Sequence, residues 1–491
     1  MKRILAVTTA LTALLLAGCA AGESPAPTPS TGALGAPVTS AELADYGGVV
    51  TIELASRCTA SLIETGVDDA AAYLITNGHC AGLDGDPANR TVIDDEAFGE
   101  ATFFQTADTP DADRLRVAAE RVEYASMRGT DIAIVRLDAT LGDLRKAGAV
   151  PLPIASAPGD VGSDVVNIAA PTDDVDDDEW VLRRGACTLG STVDVIEHTW
   201  LWLAAQRTDC PGVRGGSSGS PLIADGEIVS LINTTNTGIP VERGDTCYLG
   251  KPCEIDGDAA VFVPDSSYGV HVAGVGDCFV DGDFALGGAC PLEVSTLWDI
   301  AGGGIFAPDG ADGAGRTPEL ALRSDSDVEV AVITDVALGD AARCTDASAY
   351  AGAARHAVSA GAEDPVVVPV TLPVENGFVL ACATVPGEEA LAARFIFSID
   401  AVPPTVGPEL AIERLGDTDV MVDPLFDIPD IADIHVLFGP PDVTDCADRE
   451  AYQPYRRQSY FLAEADLPLR FCAVGFDMAG NESPVTDRLI R

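Results

Sequence analysis

Lysine is nearly absent from this sequence, and histidine is scarce. The 491 residues include three lysines (Lys2, Lys146 and Lys251) and five histidines, and the formal net charge is −48. Nucleic acid is bound by clustered Lys and Arg against its phosphates, so this composition argues against a nucleic-acid partner. It equally argues against electrostatic attraction to an anionic membrane surface. What the charge does indicate is a highly soluble surface.

The sequence has no long hydrophobic run beyond its first residues. Two basic residues precede an apolar stretch from Ile4 to Leu16, which is too short to span a bilayer and is typical of an export signal. The stretch ends in Leu16-Ala17-Gly18-Cys19, which resembles the bacterial lipobox. That resemblance implies a lipoprotein signal over residues 1–19 and lipidation of Cys19. An ordinary signal peptide, cleaved after a small residue, is the alternative.

The residues that follow predict an exported location. Residues 20–45 are rich in Pro, Ser, Thr, Ala and Gly and are predicted to be a flexible tether. Ala20, in place of Asp, directs the expected lipoprotein to the outer membrane or the cell surface of a bacterium. The membrane is then a partner only through the lipid at Cys19.

The sequence contains no Cys-x-x-Cys motif, and five histidines offer few ligands, so structural zinc is not expected. Thirteen cysteines are present, and setting Cys19 aside leaves twelve, an even number that suits disulfides in an exported protein. Their spacing suggests neighbouring pairs, although sequence alone does not determine the connectivity. The suggested pairs are Cys58 with Cys80, Cys187 with Cys210, Cys247 with Cys253, Cys278 with Cys290, Cys344 with Cys382, and Cys446 with Cys472.

From about residue 46 to 300, short apolar runs alternate with Gly, Asp and Pro, and few stretches have helical periodicity. Runs such as 72–76, 131–137 and 227–232 are predicted strands. Many short strands separated by turns indicate an all-β barrel or sandwich. The Gly- and Ala-rich residues 301–316 then predict a linker.

Beyond the linker the chain repeats itself. Pro318-Glu319-Leu320-Ala321-Leu322 recurs as Pro408-Glu409-Leu410-Ala411-Ile412, and each copy is followed by one suggested cysteine pair. Residues 317–403 and 404–491 are therefore predicted to form two small β-sandwich modules. The stretch from Phe471 to Glu482 resembles the penultimate strand and turn of fibronectin-III-like or bacterial Ig-like modules. Such modules serve as spacers or as binding surfaces, and no partner can be named for them.

Three local sequences carry the chemistry. In Gly215-Gly216-Ser217-Ser218-Gly219-Ser220-Pro221, glycines on both sides of Ser218 permit a tight turn that exposes the hydroxyl and aims backbone N–H groups at a developing oxyanion. Leu74-Ile75-Thr76-Asn77-Gly78-His79-Cys80 places a histidine directly after a strand. Gly129-Thr130-Asp131 precedes an apolar strand, a suitable place for a buried carboxylate that orients a histidine.

The order His79, Asp131, Ser218, with these local sequences, resembles the trypsin/chymotrypsin superfamily of serine peptidases. The resemblance covers roughly residues 46–300 and implies two six-stranded β-barrels with the site between them. The expected fold is thus all-β, a double six-stranded barrel followed by two small β-sandwiches. By the resemblance, Ser218 is the nucleophile, His79 the general base and Asp131 its orienting group. The N–H groups of Gly216 and Ser218 are the expected oxyanion hole.

The substrate cleft is expected, from the same resemblance, to be lined by two segments: Gly212, Val213 and Arg214 before the nucleophile, and Ser230, Leu231 and Ile232 after it. The position six residues before Ser218, acidic in trypsins, is Gly212, so cleavage after Arg or Lys by that route is not expected. Ser217 replaces the aspartate that pairs with a freed N-terminus in digestive trypsins. The Gly-x-Ser-Gly-Ser-Pro form resembles bacterial extracellular glutamyl- and lysyl-endopeptidases.

The sequence therefore predicts a secreted, lipid-anchored serine endopeptidase that acts on a protein or peptide substrate without a cofactor. The alternatives are a catalytically silent scaffold, whose sandwich modules bind partners, and an esterase with the same triad. An α/β-hydrolase esterase is disfavoured because its triad runs Ser, Asp, His along the chain. The acidic run from Asp173 to Glu179 could bind Ca²⁺, but without the glycine and spacing of an EF-hand an exposed acidic loop is the simpler interpretation.

Overall fold

The structure is a computed structural model of the 491-residue chain. It describes residues 33–82, 91–173, 175–176, 179–239, 247, 250–294, 297–301, 303–307, 318–372, 376–415, 419–425 and 431–491. The predicted signal sequence and Cys19 lie outside the described residues. Within the described ranges, no helix combines the length and the hydropathy that crossing a membrane requires.

The first part of the chain forms a closed barrel. Six strands hydrogen-bond in the ring β2-β3-β4-β8-β7-β6, which the pairing of β6 with β2 closes, and β5 is added at β7. Two short helices flank it, α1 (Leu43–Tyr46) and α2 (Leu141–Ala147). The strands are β1 (Ala36–Pro37), β2 (Val49–Glu53), β3 (Arg57–Leu62), β4 (Ala71–Thr76), β5 (Val92–Glu96), β6 (Glu100–Phe103), β7 (Leu115–Ser126) and β8 (Ile132–Thr140).

A second closed barrel follows. Its ring is β9-β10-β11-β16-β13-β12, and β14 and β15 extend the sheet from β10. The strands are β9 (Asp164–Ala169), β10 (Arg183–Glu197), β11 (Trp200–Thr208), β12 (Pro221–Ala224), β13 (Glu227–Thr235), β14 (Cys253–Asp256), β15 (Ala259–Phe262) and β16 (Ser267–His271). We call the two barrels together, residues 36–294, the double barrel. The predicted fold class, all-β with a six-stranded barrel in this region and β-sheet modules after it, is confirmed.

Strand β4 shows how one apolar run serves two cores. Successive side chains of a strand point to opposite faces. Leu74 accordingly points into the first barrel, whereas Tyr73 and Ile75 pack between the barrels against Ile168 and Leu231 of the second. Because both faces of β4 are covered, the strand is apolar at consecutive positions, and the loop that follows it is fixed at the boundary of the two barrels.

The predicted tether is wrong for its second half. Ala36–Pro37 pairs with Arg183–Arg184 of β10, and the Val38 N–H donates to Leu182 O at 2.8 Å. The Val38 carbonyl accepts from Ala107 N at 2.9 Å, so this segment contacts both barrels. The reason is that Val38 is an apolar residue with a place in the core between the barrels, where it is fully buried.

Two strands at the start of the predicted linker, residues 301–316, belong to the first sandwich. Leu297–Ala301 (β19) pairs with Glu319–Ser324 (β21), and Gly304–Phe306 (β20) lies parallel to Ala393–Ile399 (β26). The structure therefore starts the first sandwich at residue 297, whereas the prediction assigned residues up to 300 to the peptidase domain and started the sandwich at 317. The rest of the predicted linker, residues 308–316, lies outside the described residues.

The first sandwich, residues 297–400, has two sheets, β19-β21-β24 and β20-β26-β25-β22-β23. The second sandwich, residues 404–491, has sheets β27-β28-β31 and β30-β29-β32-β33. The remaining strands are β17 (Phe279–Val280), β18 (Asp283–Phe284), β22 (Val328–Ala337), β23 (Ala354–Val358), β24 (Val366–Pro369), β25 (Gly377–Thr384), β27 (Glu409–Leu415), β28 (Asp419–Leu425), β29 (Asp433–Gly439), β30 (Gln453–Pro454), β31 (Tyr460–Ala463), β32 (Leu469–Phe476) and β33 (Thr486–Ile490).

Six disulfides join the twelve cysteines in the neighbouring pairs that their spacing suggested. Four lie in the double barrel and each sandwich has one. A disulfide restricts the unfolded chain and so adds stability of about 2–4 kcal/mol. In the double barrel, the Cys58–Cys80 bond has a further consequence, because it ties β3 to the loop that carries His79.

Candidate active site

His79 begins a short helical turn, His79–Ala81, three residues after β4 ends. The turn is fixed from two sides. Cys80 is bonded to Cys58 of β3, and the Asn77 side chain donates to the backbone carbonyl of Asp131 at 2.8 Å. The imidazole of His79 is one-fifth exposed, which leaves it accessible from the space between the barrels.

Asp131 lies immediately before β8 and is fully buried. Its Oδ2 lies 2.6 Å from His79 Nδ1, and its Oδ1 accepts the backbone N–H of His79 at 3.0 Å. Both carboxylate oxygens are therefore used on the same residue, which fixes the plane of the imidazole. Because the carboxylate accepts a hydrogen bond from Nδ1–H, it selects the tautomer in which Nε2 is free to accept a proton from a nucleophile.

Ser218 occupies a tight turn before β12. Gly216 and Gly219 on either side of it have positive φ values of +86° and +76°. A Cβ on Gly216 would lie 2.7 Å from Ala170 O, and one on Gly219 would lie 2.3 Å from Thr59 O. Only glycine fits either position, so the pattern of glycines in this motif follows from the turn geometry.

Two N–H groups of this turn are left unused. The N–H of Ser217 donates to Arg214 O and that of Gly219 donates to Ile232 O, both at 2.9 Å. Among hydrogen bonds between described residues, the N–H groups of Gly216 and Ser218 donate to no acceptor. Turn N–H groups that are fixed in direction and lack an internal acceptor are suited to bind a negative charge.

Thr59, which the sequence did not single out, connects the first barrel to the Ser218 turn. Its N–H donates to Ser218 O at 2.8 Å, and its hydroxyl donates to Gly216 O at 2.9 Å. Thr59 adjoins Cys58, so strand β3 fixes the His79 loop with one residue and the Ser218 turn with the next. The available sequence signal for Thr59 was a threonine within a predicted buried strand. Its partners in the Ser218 turn are at least 157 residues away in sequence, so no local pattern indicates them.

His79 and Ser218 line one cleft of about 370 Å³ between the barrels. Of the predicted cleft residues, Val213 and Arg214 line it, and Gly212 does not. Gly212 is covered by the N-terminal segment: a Cβ there would lie 2.8 Å from Gly35 N. The position that is acidic in trypsins is therefore closed to the cleft.

Ser230, Leu231 and Ile232 also do not line this cleft, and that prediction is corrected. All three are buried, and the Ser230 hydroxyl donates to Val270 O at 2.9 Å. The same strand reaches the cleft at Asn233, Thr234 and Thr235 instead. A register shift between β13 and β16 at residues 232–234 changes which side chains point inward, and a count along the strand does not reveal it.

The opposite wall comes from the hairpin of β10 and β11. Glu197, Trp200 and Trp202 line the cleft, and the two indole rings stack with centroids 5.8 Å apart. The Glu197 carboxylate accepts from Gly250 N at 2.8 Å and from Trp202 Nε1 at 3.3 Å. Burial raises the pKa of Glu197, although these hydrogen bonds, one from Thr234 and the charge of His79 all lower it. Sequence reasoning missed this wall, for which Trp200-Leu201-Trp202 was the visible signal.

Ser217, where digestive trypsins have an aspartate, is fully buried, and its hydroxyl oxygen accepts the Arg214 N–H at 3.2 Å. The side chain therefore belongs to the turn itself. His271 pairs across from Ser230 at the end of β16 and does not line this cleft.

The Ca²⁺ expectation for residues 173–179 falls partly outside the described residues; Asp173, which is described, lines the cleft. Within the described residues, Cys58, His79 and Cys80 are the group with metal-ligand spacing. Both sulfurs are in a disulfide, so they do not offer the thiolates that a metal needs.

Residues 58–231 match the family described as trypsin-like peptidase domain. The matched range contains His79, Asp131 and Ser218. A search of the curated proteins finds no match. Among solved structures, a double mutant of human heparin binding protein (CAP37) is similar, with 12% identity over 50% of this chain and 92% of its own, at a TM-score of 0.31. A TM-score this low does not bear on function.

Proposed function

We propose that this chain is an exported serine endopeptidase that hydrolyses peptide bonds through Ser218, His79 and Asp131. The observation that carries the proposal is the pair of bonds from the buried Asp131 carboxylate to His79, at 2.6 and 3.0 Å, in the same cleft as Ser218. The match of residues 58–231 to a trypsin-like peptidase domain supports the same reaction class.

In the proposed reaction, Ser218 Oγ attacks the carbonyl carbon of the scissile bond while His79 Nε2 takes its proton. The imidazolium that forms is stabilised by Asp131 and then gives the proton to the leaving amine. An acyl-enzyme on Ser218 remains, and water, activated by the same histidine, releases it. The substrate carbonyl oxygen becomes negative in each tetrahedral intermediate.

The N–H groups of Gly216 and Ser218 are proposed to bind that oxygen. Their lack of an internal acceptor supports this role, since both donors are available when the charge develops. One such donor typically contributes about 3 kcal/mol to transition-state stabilisation. Thr59 would then be a positioning residue, because its bond to Gly216 O fixes the orientation of the turn.

Export and anchoring at Cys19 remain part of the proposal. They are supported by the lipobox-like Leu16-Ala17-Gly18-Cys19 and by six disulfides, which suit an extracellular compartment. A bacterial envelope location, at the outer membrane or cell surface, follows from that motif. Preference for glutamyl or lysyl bonds is a separate proposal, which rests only on the Gly-x-Ser-Gly-Ser-Pro motif.

The deciding experiment is labelling with a fluorophosphonate, which reacts with activated serines. A soluble chain that starts at residue 20 should be labelled in its native form and not as Ser218→Ala, while Ser359→Ala, a change at an exposed serine of the first sandwich, should label normally. Absence of labelling in a folded native protein would contradict the proposal and favour the silent scaffold.

A further inference from the structure

A second cavity, of about 310 Å³, lies between the double barrel and the first sandwich. Its wall on the barrel side includes Met127, Arg128 and Ile132, the segment that contains Asp131, and its wall on the sandwich side includes Ala392 and Arg394. Met127 also lines the catalytic cleft, so the segment separates the two spaces. The volume is at the lower end of the range for small-molecule sites, about 300–1,000 Å³.

The Arg394 side chain lines this cavity, and its Nε–H has no hydrogen-bond acceptor among the described residues. Its neighbours in β26, Ala393 and Phe395, point into the sandwich core and are fully buried, so Arg394 points the other way, at the cavity. Its guanidinium makes no hydrogen bond and no ion pair within 4.0 Å to any described residue, and Nε is buried without an acceptor. Burial lowers the pKa of Arg394. A buried guanidinium N–H without an acceptor is costly, and an oxygen atom of a bound anion would supply that acceptor.

The other charged groups around the cavity include a second guanidinium and two carboxylates. Arg128 also lines the cavity and donates from Nη1 to Leu297 O at 2.9 Å and from Nη2 to Leu391 O. Glu293, which lines the cavity, and Asp194 attract Arg394 at a distance, and neither forms an ion pair with it within 4.0 Å. His271 lines the cavity too, and burial lowers the pKa of His271, which favours the neutral imidazole. The Arg394 guanidinium can therefore pair with a ligand that carries a single negative charge.

Much of the remaining lining is aliphatic, although Tyr124 and Thr130 also line the cavity. Leu201, Leu203, Val270 and Leu292 form this aliphatic part of the wall. A phosphate has no apolar part and would leave these side chains uncovered. A guanidinium matches a carboxylate with two parallel hydrogen bonds, and the aliphatic side chains match a hydrocarbon group.

We propose that this interface cavity binds a monocarboxylate with an aliphatic body, its carboxylate paired with Arg394. The inference does not depend on the proposed peptidase activity. A fatty acid and the C-terminal end of an apolar peptide share this chemistry, and they can be told apart by experiment.

Calorimetric titration of the full soluble chain tests the proposal with octanoate and N-acetyl-leucine, each compared with its neutral carboxamide. At least one carboxylate should bind, about tenfold or more tighter than its amide, because a charge-assisted bond to Arg394 is lost in the amide. Binding of octanoate alone would identify a fatty-acid-like ligand, and binding of N-acetyl-leucine alone a peptide terminus. Equal affinity for acid and amide, or equally tight binding of inorganic phosphate, would overturn the proposal.

Variants locate the site. Arg394→Gln should abolish binding, whereas Arg414→Gln, at an exposed arginine of the second sandwich, should leave it unchanged. If Arg394→Gln does not fold, Leu203→Trp provides the same test by filling the cavity without altering the charge. Retention of binding in a folded Arg394→Gln or Leu203→Trp protein would place the ligand elsewhere and refute the assignment.

Discussion

The two sandwiches are built alike and attached differently. Each contains the same Pro-Glu-Leu-Ala sequence, each packs a three-stranded sheet on a second sheet, and each has one disulfide. In the second sandwich, the described core residues all come from the module itself. Among the described residues, one hydrogen bond connects it to the rest of the chain, from Asn481 Nδ2 to Asp400 O at 2.8 Å.

The first sandwich shares a core with the double barrel. Ile196 and Leu201 of the β10–β11 hairpin pack in one apolar cluster with Leu338, Leu380 and Ile396 of the sandwich. The adjacent residues of that hairpin, Glu197, Trp200 and Trp202, point the opposite way and line the cleft. Because side chains alternate along a strand, the hairpin has the cleft on one face and the sandwich on the other.

The difference shows that sequence similarity between modules does not predict a similar role. A module connected mainly by its chain suits a spacer. A module that covers the back of a cleft wall is part of the structure that forms the cleft, and the barrels alone would expose Ile196 and Leu201 to water. The predictions below test this distinction, in order of decreasing effect.

Truncation should produce the largest effect. A chain that ends at residue 403 should fold, react with fluorophosphonate and melt within a few degrees of the full protein, since its double barrel and first sandwich are intact. A chain that ends at residue 294 should be insoluble or unreactive, because the shared core is exposed. Soluble yield, labelling and thermal melting measure both. A fully reactive chain ending at 294 would show that the first sandwich is merely appended.

The next largest difference is expected from two core substitutions, one in each sandwich. Leu338→Ala in the first sandwich and Leu462→Ala in the second each remove a buried side chain, at a cost of about 2–5 kcal/mol to the unit that contains it. Leu338→Ala should lower the melting temperature of the unit formed by the double barrel and the first sandwich. It should also reduce fluorophosphonate labelling at raised temperature. Leu462→Ala should shift only a separate transition, seen by calorimetry, and leave labelling unchanged.

The three triad residues could be predicted from the sequence, whereas most of the cleft wall could not. His79, Asp131 and Ser218 could be predicted because each lies in a local motif that the turn or strand requires, such as the glycines around Ser218. The structure brings His79 and Asp131 into direct contact and places Ser218 in the same cleft. The cleft wall at Glu197 and the contacts of Thr59 depend on pairing between strands distant in sequence, which local patterns do not encode.

The domain boundaries failed for a different reason. Residues 33–45 and 301–306 have the composition of linkers, but each contains an apolar residue, Val38 or Phe306, that packs in a neighbouring core. Composition averages over a segment, whereas burial depends on single side chains. A short edge strand such as Ala36–Pro37 also gains its hydrogen bonds from β10, so its own sequence needs little strand propensity.

A smaller effect is expected from Arg128, which connects the Asp131 segment to the first sandwich through Leu297 O and Leu391 O. Arg128→Gln should destabilise the catalytic unit by about 1.5–3 kcal/mol, since it removes charge-assisted hydrogen bonds that are partly buried. The matched change in the second sandwich is Arg470→Gln, which breaks an exposed ion pair with Asp487 and should cost less, because solvent screens exposed ion pairs. Urea unfolding followed by labelling compares them, and equal losses would contradict the asymmetry.

The smallest effect concerns a single surface contact. Asp258, between β14 and β15, accepts the Gly339 N–H across the boundary at 3.0 Å, whereas Asp327 accepts the Ala360 N–H within the first sandwich at 2.9 Å. Asp258→Ala and Asp327→Ala each remove one exposed bond, worth about 1 kcal/mol or less. Hydrogen exchange should nevertheless distinguish them: Asp258→Ala should increase exchange in β14 and β15, and Asp327→Ala only near β22 and β23. Since the two bonds are alike in strength, a difference in where exchange rises reports which strands depend on the boundary.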